Sequence, residues 1–161
     1  MKGDLKKASA LYKRGKYPQV IRLLEPQIFR FRQSYNFFFF VGMSCLHTGD
    51  LGGASTYLQR GLGLQPNDIP ANLGLAIVHL KRQETQEAIR CYLEILESDP
   101  GNSYAKRGLG LLRRDATPDR LLELDESGRL LKLLPGKRVM KFTRTFVSAT
   151  LVAAAAFAVI Y

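Results

Sequence analysis

Residues 35–68 read YNFFFFVGMSCLHTGDLGGASTYLQRGLGLQPND, and residues 69–102 read IPANLGLAIVHLKRQETQEAIRCYLEILESDPGN. Laid one beneath the other, Gly42 stands over Ala76, Ala54 over Ala88, Leu58 over Tyr92 and Pro66 over Pro100. The columns extend in both directions. Ala8 and Gly110 continue the first, Val20 the second and Leu24 the third, while Gly15, Gly49 and Gln83 form another. Only Arg32 departs from the proline column. A fixed period of 34 residues without insertion means one supersecondary unit repeated and stacked. The fold class expected is therefore all-α, an α-solenoid of about three helix–turn–helix units.

Each unit reads as helix A, a tight turn, helix B and a break. In the second unit Phe37, Phe38, Phe39, Phe40, Val41, Met43, Cys45 and Leu46 make helix A apolar. Gly49-Asp50 is the turn, helix B covers 51–64, and Pro66 closes the unit because proline cannot continue a helix. The third unit repeats this with helices near 71–81 and 85–98. The first is less regular. Asp4 and Lys7 stand where Phe38 and Val41 stand later, which suits a capping unit with one face in water. Pro26 lies within its helix B, and Ile28, Phe29 and Phe31 continue the apolar pattern, so a kink is expected there rather than a break.

A fourth helix A covers 103–114. Thr117-Pro118 then offers an N-cap followed by proline at the first helical position. The leucines that follow (121, 122, 124, 130, 131, 133 and 134) lack the small-residue column, since Leu122 takes the place of Ala54 and Ala88. We read a terminal capping helix with a break at Ser127-Gly128. The chain divides into repeats over 1–116 (units 1–34, 35–68, 69–102 and a partial unit 103–116), the leucine-rich cap over 117–136, a basic linker over 137–145 and an apolar run over 146–161.

These columns resemble the tetratricopeptide repeat, a 34-residue helix–turn–helix unit with small residues on both helices and a closing proline. Gly42, Gly49, Ala54, Tyr57, Leu58 and Pro66 carry the likeness in unit two, Ala76, Ala88, Tyr92 and Pro100 in unit three, and Gly15, Tyr17 and Leu24 in unit one. The family's early tryptophan is absent, with Phe38 in its place. The likeness covers residues 3–116. It implies a right-handed superhelix whose concave groove is lined by the A helices and binds peptides or partner helices. One subgroup of the family holds a C-terminal carboxylate there with Lys, Arg and Asn. At the matching positions this chain has Leu5, Ser9, Asn36, Phe39, Phe40, Met43, Leu73, Gly74, Ile77, Tyr104 and Arg107, so most of that basic clamp is missing. The implied groove is apolar: Phe39, Met43, Leu46, Leu73, Ile77, Leu80 and Leu111. Two occupants fit it. One is a partner's amphipathic helix or peptide with leucine anchors. The other is the chain's own segment 119–134.

Residues 146–161, FVSATLVAAAAFAVIY, carry no charge. At about 1.5 Å per residue, 16 residues reach roughly 24 Å, short of a bilayer core of about 30 Å. Extension back to Phe142, with Lys141 and Arg144 snorkelling, lengthens the run. The expectation is a single transmembrane helix, with Lys137, Arg138, Lys141 and Arg144 as the juxtamembrane cluster and the repeats on the cytoplasmic side. A buried core helix is the alternative. Because the run ends at Tyr161 without a polar tail, the chain also reads as the first part of a longer protein.

The formal charge of +10 is uneven. Residues 1–34 carry nine Lys/Arg against two Asp/Glu, residues 35–102 four against seven, and residues 103–161 eleven against five. Lys6, Lys13, Arg14 and Lys16 form a basic surface on unit one, with Tyr12 and Tyr17 nearby. Basic residues among aromatics suit RNA, and basic residues alone suit anionic lipid. Cys45 and Cys91 belong to no CxxC pair and read as buried, reduced core residues. His47 and His79 have no HxxxH, paired Cys or acidic cluster around them, so no metal and no cofactor is expected. Gly61 and Gly110 read as helix-packing glycines. Nothing clusters as a catalytic site, and we expect no enzyme. The leading function is a membrane-tethered scaffold for protein partners. The alternatives are RNA or anionic-lipid binding through the basic ends, and a structural subunit of a membrane machine of the secretion or flagellar-motor type.

Overall fold

The computed structural model describes residues 2–136. Among the described residues the regular structure is entirely helical. Three A–B pairs follow one another: α1 (Lys2–Lys13) with α2 (Tyr17–Leu24), α3 (Tyr35–Thr48) with α4 (Leu51–Leu64), and α5 (Ile69–Lys81) with α6 (Thr85–Ser98). A fourth A helix, α7 (Ser103–Arg114), is followed by α8 (Pro118–Glu126) and a 3-10 turn at Leu130–Leu133. From α1 to α7 each helix packs on the next, and the A helices α1, α3 and α5 also pack on one another more extensively than the B helices do. That asymmetry curves the stack and puts the A helices on its inner side.

Two period-34 columns write the helix ends. Gly15, Gly49 and Gln83 all take the left-handed conformation, with φ of 72°, 86° and 63°. In each case two backbone bonds close the A helix. At the second unit the Gly49 N–H donates to the Leu46 carbonyl (3.3 Å) and the Asp50 N–H to that of Cys45 (2.9 Å). The other column is Ser34, Asp68 and Asn102. These side chains accept from the N–H groups of Phe37 (3.4 Å), Ala71 (2.9 Å) and Ala105 (3.0 Å), capping α3, α5 and α7.

The small-residue columns let helices touch. A β-carbon on Gly42 would lie 2.9 Å from Leu58 Cγ and 3.0 Å from the Leu58 backbone nitrogen, so α3 and α4 meet almost backbone to backbone. Residues 37–46 and 71–78 are buried without interruption. α3 and α5 are thus enclosed on every side. Each large apolar side chain buried there contributes about 2 kcal/mol.

Three local expectations change. α2 ends at Leu24, and Pro26 sits in a 3-10 turn, Glu25–Gln27, followed by bends. Proline offers no N–H to a helix ladder, and the chain breaks rather than kinks: Phe31 turns into the core while Phe29 stays 87% exposed. Thr117 occupies the N-cap of α8, but its hydroxyl donates to Asp115 Oδ1 (2.9 Å) and does not cap. Gly110 packs against nothing: a β-carbon there meets no atom within 4 Å. Gly108 is the packed glycine of α7, and a β-carbon on it would overlap the ring of Tyr92. The reason is that α8 does not take the place of a fourth helix B. It leaves α7 and packs on α5, as does the 3-10 turn after it.

Among the described residues no helix is long and apolar enough to cross a membrane. The apolar run 146–161 and the cluster Lys137, Arg138, Lys141 and Arg144 lie outside the described residues.

Candidate partner-binding face

The inner side of the stack is built from one face of each A helix, because residues seven apart share a face. On α3 that face carries Phe39, Met43 and Leu46, and on α5 it carries Leu73, Ile77 and Leu80. Their exposure is at most 4%. Leu111, on α7, is half-buried and packs at the edge of the same core.

Over α5 the cover is the chain's own C-terminal segment. α8 and the Leu130–Leu133 turn pack on α5, and the turn also reaches α7. Leu121, Leu124, Leu130 and Leu134 are buried, whereas Leu122 is half-exposed. Lys81, at the end of α5, forms an ion pair with Asp125 of α8, both side chains being largely shielded from water. Helix α8 ends at Glu126, and Gly128, with a φ of 68°, reverses the chain just beyond it. The Arg129 N–H donates to the Leu124 carbonyl (2.8 Å) and returns the backbone as the Leu130–Leu133 turn. The segment therefore lies along the inner face as a strap, with leucines inward and one acid on the lysine.

Over α3 the cover is partly aromatic. The Tyr12 ring lies 5.6 Å from that of Phe40 and 6.3 Å from that of Phe39, and Tyr35 stacks on Phe39 at 5.8 Å. Tyr17 stacks flat on His47, 4.1 Å between centroids. Tyr12 is only 3% exposed, so it cannot stack on a base without leaving the core. Lys6, Lys13, Arg14 and Lys16 are exposed around it. Their charge is available to a partner, but Tyr12 is not.

A hollow of about 430 Å³ remains beside the strap. It is lined by His47, Tyr104, Arg107, Leu131, Lys132, Leu134, Pro135 and Gly136. The Arg107 guanidinium lies 4.6 Å from the centroid of the Tyr104 ring. Tyr104 and Arg107 stand at the inner positions the repeat pattern singles out. Lys81 and Asp125 were missed by pattern reading. The available signal was that each charge directly follows an inward leucine, Leu80 and Leu124.

The remaining candidate groups are structural. Cys45 and Cys91 are buried free thiols, both pushed up to about 12, first by burial and then by Asp50 and Glu94 respectively. His79 Nδ1 lies 2.6 Å from Glu84 Oε2, joining α5 to the turn that follows it. The described residues contain no group of His, Cys, Asp and Glu placed to hold a metal. Asp50 and Asp68 cap helices, and Asp99 accepts from the Gly101 N–H (3.2 Å) and the Asn102 amide (3.0 Å).

No curated protein matches the chain. Two family models, each described as a tetratricopeptide repeat, match residues 5–69 and 46–112. Between them they run from α1 to the last turn of α7, the same stretch in which the period, the left-handed turns and the N-caps recur. The chain is a tetratricopeptide-repeat protein.

Proposed function

We propose that this chain is a membrane-tethered scaffold that recruits a partner helix bearing leucine anchors and an acidic residue. The repeats suggest a protein–protein interaction scaffold in general terms. The kind of partner is supported by one observation: the inner face of α5 accepts Leu121, Leu124 and Leu130 together with Asp125 on Lys81. A segment held by its own chain displays the chemistry that face accepts, and a partner with the same pattern competes for it. The tether rests on the uncharged run 146–161 and the four basic residues before it.

A labelled peptide of residues 117–134, titrated against the wild-type chain and an Asp125→Ala variant in mild detergent, tests the binding face. The variant should bind at least several-fold more tightly, because loss of the ion pair frees the face. A folded variant that binds no peptide means that the face is closed core. Fractionation tests the tether: the chain should enter solution only with detergent, and recovery in the soluble fraction without it contradicts the tether.

A further inference from the structure

We infer that the outward face of α7 lies on anionic lipid headgroups, so that the last repeat helix rests on the membrane surface. The inference rests on the membrane tether proposed above. Helix α7 buries Ala105, Gly108 and Leu112 and exposes Lys106, Arg113 and Arg114 on the other side, with the exposed Arg107 at the edge of that face next to the inner side. It carries no acidic residue. None of the ion pairs among the described residues involves these four cations. Because α8 departs for the inner face, no fourth helix B covers this side, and Gly110 at its middle has open space around it.

The place where the chain leaves this structure selects the occupant. Pro135 and Gly136 line the same hollow as Arg107 and Lys132. The next nine residues, 137–145, add four cations and no acid before the apolar run begins. Of the α7 cations, Arg107 lines the hollow from which the linker continues in sequence. A linker of nine residues reaches at most about 30 Å, which lets α7 settle on the surface of a bilayer that holds the tether, within the Debye length of about 8–10 Å at moderate salt. Cations so placed are attracted to anionic lipid. An acidic protein helix could use the same charges, but the four further cations and the uncharged run that follow Gly136 in the sequence favour lipid. Unit one, at the other end of the stack, is then held away from the surface.

The test uses the 161-residue chain in nanodiscs of neutral phosphatidylcholine, or of phosphatidylcholine mixed with phosphatidylserine. Both disc types contain a lipid with a nitroxide on its headgroup. A fluorophore is attached at Gly110→Cys, or at Gln59→Cys on α4 as the distant control. Quenching at position 110 should be several-fold stronger in the anionic discs than in the neutral ones. It should fall to the neutral level when Lys106→Glu, Arg113→Glu and Arg114→Glu are combined, and persist when Lys6→Glu, Lys13→Glu and Lys16→Glu are combined on α1. Equal quenching in both discs overturns the inference while leaving the tether intact. So does quenching in the anionic discs that the combined Lys106→Glu, Arg113→Glu and Arg114→Glu changes leave as strong as before. A chain that fails to enter either disc contradicts the tether, and the inference with it.

Discussion

Gly108 sits so close to the ring of Tyr92 that a β-carbon would overlap its Cζ and both Cε atoms, while Gly110, one turn-face away, meets nothing within 4 Å. The two glycines report opposite surroundings on one helix. The first holds α7 against α6; the second faces the space that a fourth helix B leaves empty. Substitution by alanine should separate them. Gly108→Ala should destabilise by about 2 kcal/mol, because a fully buried tyrosine ring has nowhere to move. Gly42→Ala should cost about as much, since its obstacle includes the Leu58 backbone. Gly110→Ala should stabilise by about 0.8 kcal/mol through helix propensity alone. Chemical denaturation in one detergent checks all three, and a destabilising Gly110→Ala would mean that a helix packs there.

Gln83 holds a φ of 63° where the equivalent residues are Gly15 and Gly49. A side chain in that conformation costs about 1 kcal/mol. Gln83→Gly should therefore raise stability by up to about 1 kcal/mol, less what the more flexible unfolded chain takes back. A clearly lower melting temperature contradicts a left-handed turn between α5 and α6.

Stability should fall in alkali for a specific reason. Burial, helped by neighbouring carboxylates, pushes the Cys45 and Cys91 thiols from an ordinary 9.0 up to about 12. Burial and a hydrogen bond to Glu25 move the Tyr57 hydroxyl from 10.0 up to about 12. Below about pH 9 the folded and unfolded chains hold these protons alike. Above it the unfolded chain releases protons that the fold retains, so the fold binds more protons and loses stability as pH rises toward 12. Unfolding free energy measured from about pH 7 upward should be level and then decline. Cys45→Ala combined with Cys91→Ala should flatten that decline, and an unaltered slope removes the thiols from the account.

Much of the fold was legible because sterics repeat. Gly42 and Ala76 must be small, Gly49 must turn, and Asp68 must cap, so a period of 34 marks the helices with few errors. The break at Pro26 was not legible, because Ile28, Phe29 and Phe31 keep an apolar pattern that only one of them, Phe31, uses in full. The strap was hidden for another reason. Leu121 and Leu124 say that α8 has an inward face, but nothing local says which surface it meets, and its ionic partner lies 44 residues away. The inner-face residues Met43 and Ile77 were legible as a face, while their cover depends on a pairing that no period encodes.

The central claim is that the strap lies on the inner face of α5, where Lys81 meets Asp125. A double-mutant cycle of Lys81→Gln and Asp125→Asn, read by chemical denaturation, tests it most directly. The pair is partly buried, with 13% and 31% of the two side chains exposed. The account predicts that each single change destabilises, that the double change costs less than their sum, and that the coupling is about 1 kcal/mol or more. Strict additivity, with no coupling between the two positions, would contradict it.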